Sequence, residues 1–427
     1  MKVDVSARKL CGLSYAAMAA GWLLFPSCKP KQSDAEAQSG GKSPVVQKSG
    51  RPDDIHPIPV KAPEIPRVAV KPNILRPQAR PEIRKAMARF QLPTANDGIF
   101  TNANDQYFMF VDRSIKGVAT QVWEGGQYGF VRDPKMAPDG SVVYTRFHEG
   151  MDVSPVQRDA KGEPMDVVSS MADGTVVYVN DSPRKSNYGN YIIIEHKTDD
   201  GPFYSLYAHF REVKVRRGMK VQAGDPIGYM GHTGVGIDRR RAHCHVELNL
   251  VLSGRAAIWE QVAPPAATVS APVASVPLKE APVPAPVPAP ALPTLNGQNL
   301  VGIDVVGWLR ANHETPEIKM SDFIKRSETY FKLRTPCRGT ELEIVKRYPW
   351  LRAPGPIGES WEISISAASV PLKVEPVAEK TEFTTVSWVK PFTGNHAWKS
   401  REVLTGSGAT ASLSKHGLEY VKLLLAE

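Results

Sequence analysis

Cysteine is scarce, with four in 427 residues, too few to build a disulfide framework. The chain also lacks a hydrophobic run long enough to span a bilayer. Its main apolar stretch, residues 10–25 (CGLSYAAMAAGWLLFP), falls short of the ~20 residues such a helix needs. No long basic run interleaved with aromatics is present, so nucleic acid is not an expected partner. Nor is there an acidic surplus: 53 Lys and Arg stand against 44 Asp and Glu, a net charge of +9. That balance favours anionic partners such as acidic lipid or a polymer carrying carboxylates. Proline, by contrast, is abundant, with 37 residues that cluster and so mark linkers rather than an unusual fold.

The amino terminus reads as an export signal. Lys2, Arg8 and Lys9 precede the short apolar stretch, the order of a positive region followed by a hydrophobic one. The stretch ends in Phe25-Pro26-Ser27-Cys28, which resembles a bacterial lipobox, although Phe25 and Pro26 depart from its usual residues. The expectation is an exported protein held to a membrane by a lipid on Cys28; plain secretion and an uncleaved anchor stay open. Cys11 would leave with the signal. Cys244 and Cys337 then remain, in different regions of the chain, with a bridge between them the lesser reading.

Composition divides the remainder. Residues 29–92, rich in Pro, Lys, Ser and Ala, have no apolar period and read as an extended tether. Residues 93–257 turn to short β-rich runs between Gly, Asp and Asn, among them 174–179, 190–196 and 202–210. Such spacing predicts an all-β domain with a compact antiparallel sheet. Residues 258–296 are a Pro/Ala/Val-rich linker. Residues 297–427 read as a smaller, mixed α+β accessory region with helices over Gly302–Ala311 and Leu413–Leu425 and a strand over Trp361–Ser366. Its tryptophans 308, 350, 361, 388 and 398 read as core, with a glycan-facing surface as the alternative.

Only ten histidines exist, and four of them fall into a pattern. His148 and Asp152 stand four residues apart, a spacing that would share one face of a helix, but Gly150 and the β-rich surroundings predict a strand leading into a turn. His243-Cys244-His245 on a strand would point both imidazoles to one face and the thiol to the other. His209 ends a predicted strand. Two histidines and one carboxylate, with a fourth position left to water, is the ligand count of a catalytic zinc site. Glu247 shares the face of His243 and His245 and reads as an orienting neighbour or a plain ion pair. His196 reads as structural, His232 as a turn residue, and Tyr207 as either core or groove.

Together these elements resemble the lysostaphin/LytM metallopeptidase domain over roughly residues 120–252. The resemblance rests on Gly162-Glu-Pro164, Asp173-Gly174-Thr-Val176, Tyr188-Gly-Asn190, Tyr207-Ala-His209, Gly218-Met-Lys-Val221, Gly224-Asp-Pro-Ile-Gly228, Gly231-His-Thr-Gly234 and His243-Cys-His245-Val-Glu247. It implies one Zn2+ held by His148, Asp152 and His245, with His209 and His243 as the catalytic pair. It further implies a groove across the sheet and hydrolysis of the peptide cross-links of bacterial peptidoglycan, whose stem peptides would be the partner. The competing implication is a non-catalytic LytM-like protein that binds the wall and activates other hydrolases. Cys244 stands where that family has an aliphatic residue. The loop with Arg239, Arg240 and Arg241 is longer than usual, and reads either as a solvated surface or as a groove wall attracting substrate carboxylates.

Overall fold

The computed structural model describes residues 90–110, 113, 120–254 and 299–426. The expected signal with Cys28, nearly all of the tether and the 258–296 linker lie outside the described residues. The strands begin with β1 (Gly129–Met136), β2 (Val142–His148), β3 (Met151–Val153), β4 (Val167–Ser169), β5 (Gly174–Asn180) and β6 (Tyr191–Thr198). They continue with β7 (Gly201–Ala208), β8 (Glu212–Val213), β9 (Lys220–Val221), β10 (Pro226–Tyr229) and β11 (Cys244–Val251). After the linker come β12 (Leu300–Gly302), β13 (Thr329–Pro336), β14 (Ser360–Ser366), β15 (Pro371–Val377) and β16 (Thr385–Val389). A short pair, β17 (Leu404–Thr405) and β18 (Ser412–Leu413), completes them.

An antiparallel sheet in the order β12-β11-β7-β6-β5-β9, with β3 also paired to β11, forms the centre. Alternation along β11 explains its two faces. Cys244, Val246, Leu248 and Leu250 enter the main core, whereas His245, Glu247 and Asn249 turn to the opposite face. On β6, Ile192 and Ile194 face the core, and Tyr191 and Ile193 join Leu206 and Ala208 of β7 in a smaller cluster on the other side. Both faces are thus covered, which accounts for a β11 that is buried at every position. Tyr207 belongs to the core, where its hydroxyl accepts from the Met171 amide at 2.8 Å, rather than to a groove.

The stretch after 297 does not stand apart. Its first residues form β12, which extends the central sheet through Leu250–Val301 pairing. The helix expected over Gly302–Ala311 starts later, at Val305–Glu314, because the Asp304 side chain accepts from the Gly307 amide and fixes the cap there. Trp308 is buried in the same core as the central sheet. Tyr348 donates its hydroxyl proton to the Pro202 carbonyl at 2.8 Å and accepts from the Val251 amide at 3.0 Å. A second sheet, β15-β14-β13-β16, and the helix Lys415–Leu425 supply the expected mixed α+β character. Trp308 and Trp361 are core residues, while Trp388 is exposed. Cys244 and Cys337 are both free thiols, so the bridge weighed between them is absent.

Candidate metal centre

The site is assembled from strand ends. β2 delivers His148 and stops, and the chain turns through Glu149 and Gly150 to enter β3 with Asp152. The turn lies so close to β11 that a Cβ on Gly150 would sit 2.1 Å from the Val246 carbonyl oxygen; only glycine lets β3 pair there. That pairing sets Asp152 directly opposite His245. His148 Nε2, Asp152 Oδ1 and His245 Nδ1 then lie 2.9–3.1 Å from one another.

His209 arrives differently. It follows Ala208, which faces the site side of β7, so strict alternation would send the imidazole into the core. Its backbone instead takes φ +65°, the left-handed region that a non-glycine residue enters only when its surroundings impose it. Amide hydrogen bonds from His209 to the Tyr188 carbonyl and from Phe210 to Asn190 hold that bend. The ring turns back to lie 4.7 Å from His243 and 5.9 Å from His245, centroid to centroid. His243 Nε2 is 3.4 Å from Asp152 Oδ1. All five predicted residues therefore converge.

Each imidazole has one nitrogen committed elsewhere, and this decides what the other can do. His148 Nδ1 donates to the Gln127 carbonyl at 2.7 Å, His209 Nδ1 to the Thr233 carbonyl at 2.7 Å, and His243 Nδ1 to the Arg241 carbonyl. His245 Nε2 donates to Glu247 Oε1 at 2.8 Å. The committed nitrogens donate, so each ring turns its other nitrogen away from its anchor and toward the cluster. Glu247, read from sequence as an orienting neighbour or a plain ion pair, pairs with His245 and also accepts from the Tyr188 hydroxyl at 2.7 Å and from the Asn249 side-chain amide at 3.0 Å.

This donor set fits zinc. Two imidazole nitrogens and one carboxylate oxygen match its ligand preference, and bonds of ~2.0–2.1 Å in tetrahedral array require donors about 3.3 Å apart, a few tenths of an ångström from the spacing seen. Electrostatics agree. Burial alone would raise the Asp152 carboxyl, but His148, His243 and Arg132 outweigh it and hold the group well below the usual carboxylate range. Burial likewise opposes charge on His245, yet its hydrogen bonds to Asp152 and Glu247 lift it to about 9. The centre is thus arranged around a positive charge. Burial, reinforced by His243 and His245, holds His209 well below the ordinary imidazole range.

Sequence reasoning missed the cover over this centre. The five residues are only 2–6% exposed. Arg132, on β1, reaches in to bind Asp152 Oδ2 at 2.5 Å and the Gly125 carbonyl at 2.8 Å. The Phe110 ring lies under both the Arg132 and the Arg241 guanidinium groups, at 4.8 and 5.6 Å. No spacing signal marks Arg132, which stands twenty residues before its partner. The arginine loop is not a free anion-binding wall: Arg239 binds Glu163 at 2.6 Å, Arg240 pairs with Asp238, and Arg241 donates to the Gly236 carbonyl. His196 bridges the Asp173 carbonyl and the Ser205 hydroxyl away from the cluster, a structural role. His232 pairs with Glu163.

Residues 146–256 match the family model described as peptidase family M23. Peptidoglycan DD-endopeptidase ShyA of Vibrio cholerae is 32% identical over 88 residues, which is 21% of this chain and 18% of that protein. The chain therefore spans less than a fifth of that relative's length. Among solved structures, a zinc containing peptidase from Vibrio cholerae aligns at 26% identity over 34% of this chain and 36% of its own, with a TM-score of 0.20. The catalytic domain of lysostaphin from Staphylococcus simulans aligns at 24% identity over 29% of this chain and 75% of its own, also with a TM-score of 0.20.

Proposed function

We propose that this peptidase family M23 domain is a zinc metalloendopeptidase that cuts the peptide cross-links of bacterial peptidoglycan. The observation that carries the reading is the convergence of His148, Asp152 and His245, whose ligand atoms all lie within 4.8 Å of one another, beside two further imidazoles. When bound, zinc supplies a Lewis acid that polarises a scissile carbonyl and acidifies a water molecule. The protein's own part is proton handling. His209 and His243 both begin as acceptors at Nε2, because Nδ1 of each is held by a backbone carbonyl. One of them takes the proton from the attacking water; once protonated, its Nε2–H donates to the oxyanion or to the departing amine.

Peptidoglycan as substrate is supported by the wall-acting relative and by the positive surplus of the chain. Export, with a lipid on Cys28 and a tether reaching into the wall, is supported by the amino-terminal sequence. Among the described residues no helix is long and apolar enough to cross a membrane. The cover formed by Phe110 and Arg132 favours a second feature, a resting form in which these two side chains must shift before a cross-link reaches the site. Against the non-catalytic alternative stands the presence of all five residues on which the hydrolytic reading draws.

The test uses the full chain and its Arg132→Ala variant, each carrying one zinc, with defined cross-linked muropeptides as substrate. Mass analysis should find monomers with newly freed amino groups, and faster release by the variant. Intact cross-links in both preparations contradict the reading.

A further inference from the structure

Away from the metal centre, a cavity of about 690 Å3 opens between the β1–β2 hairpin and the second sheet. That volume lies within the ~300–1,000 Å3 range of small-molecule sites. Six aromatic rings line it: Tyr128, Phe130, Phe147, Phe323, Tyr330 and Phe392. Ile303, Val370, Ala367 and Ala368 fill the gaps between them.

Three hydroxyls of the lining are already engaged. Tyr128 donates its hydroxyl proton to the Gly302 carbonyl at 2.8 Å, the Tyr330 hydroxyl is hydrogen-bonded to His396 Nδ1 at 2.9 Å, and the Ser366 hydroxyl accepts from the Val370 amide at 3.2 Å. A sugar or a peptide placed inside would leave its own hydrogen-bonding groups unpaired, at a cost of roughly 1–3 kcal/mol for each buried group. The interior therefore selects against wall fragments and for a hydrocarbon body.

Charge on the rim is unbalanced in one direction. Three cations, Arg326, Lys390 and Lys399, face two acids, Asp304 and Glu328. Both acids are engaged: Glu328 pairs with Lys390 at 2.7 Å and Asp304 caps the helix that follows it. Lys399 has no carboxylate partner among the described residues. Its ammonium group sits half-buried, 5.5 Å from the centre of the Phe130 ring, and burial pulls its pKa down. A half-buried cation has lost part of its water, and an opposite charge brought within about 4–6 Å favours its charged form.

We propose that this cavity binds a small amphipathic anion, a carboxylate with an unbranched acyl chain, its head at Lys399 and its tail among the aromatic rings. The site goes beyond the hydrolase reading and does not depend on it. The same chemistry is offered by a free fatty acid or by the edge of an acidic bilayer. Probes kept below the concentration at which they self-associate therefore isolate the single-molecule site.

Titration calorimetry of the full chain with octanoate, nonanoate, decanoate and decanol is the experiment. Decanoate should saturate one site per chain, and each methylene added from octanoate upward should tighten binding about four-fold. Lys399→Met should weaken decanoate at least ten-fold and leave decanol unchanged. Ala368→Trp, which fills the cavity, should abolish binding of both. Phe392→Ala, a truncation at the half-buried edge, should weaken both and guards against misfolding of the larger substitution, with circular dichroism as the check on each variant. Binding that does not saturate, affinity independent of chain length, or equal affinity of Lys399→Met for decanoate overturns the proposal. Because the readout is binding, a failure of the hydrolase reading leaves it untouched.

Discussion

At the scale of single residues, His209 and His245 share a cluster but occupy different places in it. His245 places Nδ1 among the three convergent donors, while His209 spends Nδ1 on Thr233 and lies to one side. The account expects His245→Ala and Asp152→Ala to lose both zinc and turnover. His209→Ala should keep the metal and lose roughly 10²–10⁴-fold in rate, the range for a positioned proton-transfer group. Metal analysis beside a cleavage assay separates the two, and equal loss of zinc in all three variants contradicts the division. These residues were legible in the sequence because spacing on a strand translates into faces: His243 and His245 share one face of β11, and Cys244 enters the core. Arg132 and Phe110 were not legible, since their contacts with the centre depend on how the chain returns over the sheet. Tyr207 was ambiguous for another reason. Both faces of its strand are covered, so alternation alone did not say which was core.

At the scale of elements, β6 and β7 are tied by His196, which lies between the Asp173 carbonyl and the Ser205 hydroxyl and is almost wholly buried. Burial holds its pKa below the ordinary value, so the folded chain binds fewer protons than the unfolded chain between the two pKa values. Stability from this residue is complete above about pH 6.5, its unfolded value, and is lost as pH falls through 6.5 toward the folded pKa, at up to about 1.4 kcal/mol per pH unit. In zinc-free protein, the melting temperature should therefore drop more steeply between pH 7.5 and 5.5 for the parent chain than for His196→Gln. Parallel drops contradict the assignment. Strand positions over β5, β6, β7 and β14 were readable to within a residue or two because β-branched and aromatic runs end at Gly, Asp or Asn. The helix after β12 was misplaced by three residues. Its apolar pattern extends into Leu300–Val301, which are claimed by pairing with β11, and the Asp304 cap then sets the helix start.

At the scale of the whole molecule, the sheet that carries the candidate metal centre and the residues from 299 onward share one core. β12 lies along β11, Trp308 and Tyr348 fill the space beneath, and Arg401 binds Glu149 at 3.0 Å between the two candidate ligands His148 and Asp152. Composition was silent on whether the residues on either side of 258–296 would share a core. A chain ending at residue 254 should expose that core and fail to accumulate as a folded, zinc-binding protein. The full chain should melt in one cooperative transition by calorimetry, and two separated transitions, or a stable truncated form, contradict the shared core. The central claim is a single ion held at the meeting point of β2, β3 and β11. Anomalous diffraction at the zinc edge from crystals of the full chain tests it most directly. The account predicts one zinc peak bonded at ~2.0–2.1 Å to His148 Nε2, Asp152 Oδ1 and His245 Nδ1. A peak elsewhere, or none at zinc concentrations that saturate the protein in solution, contradicts it.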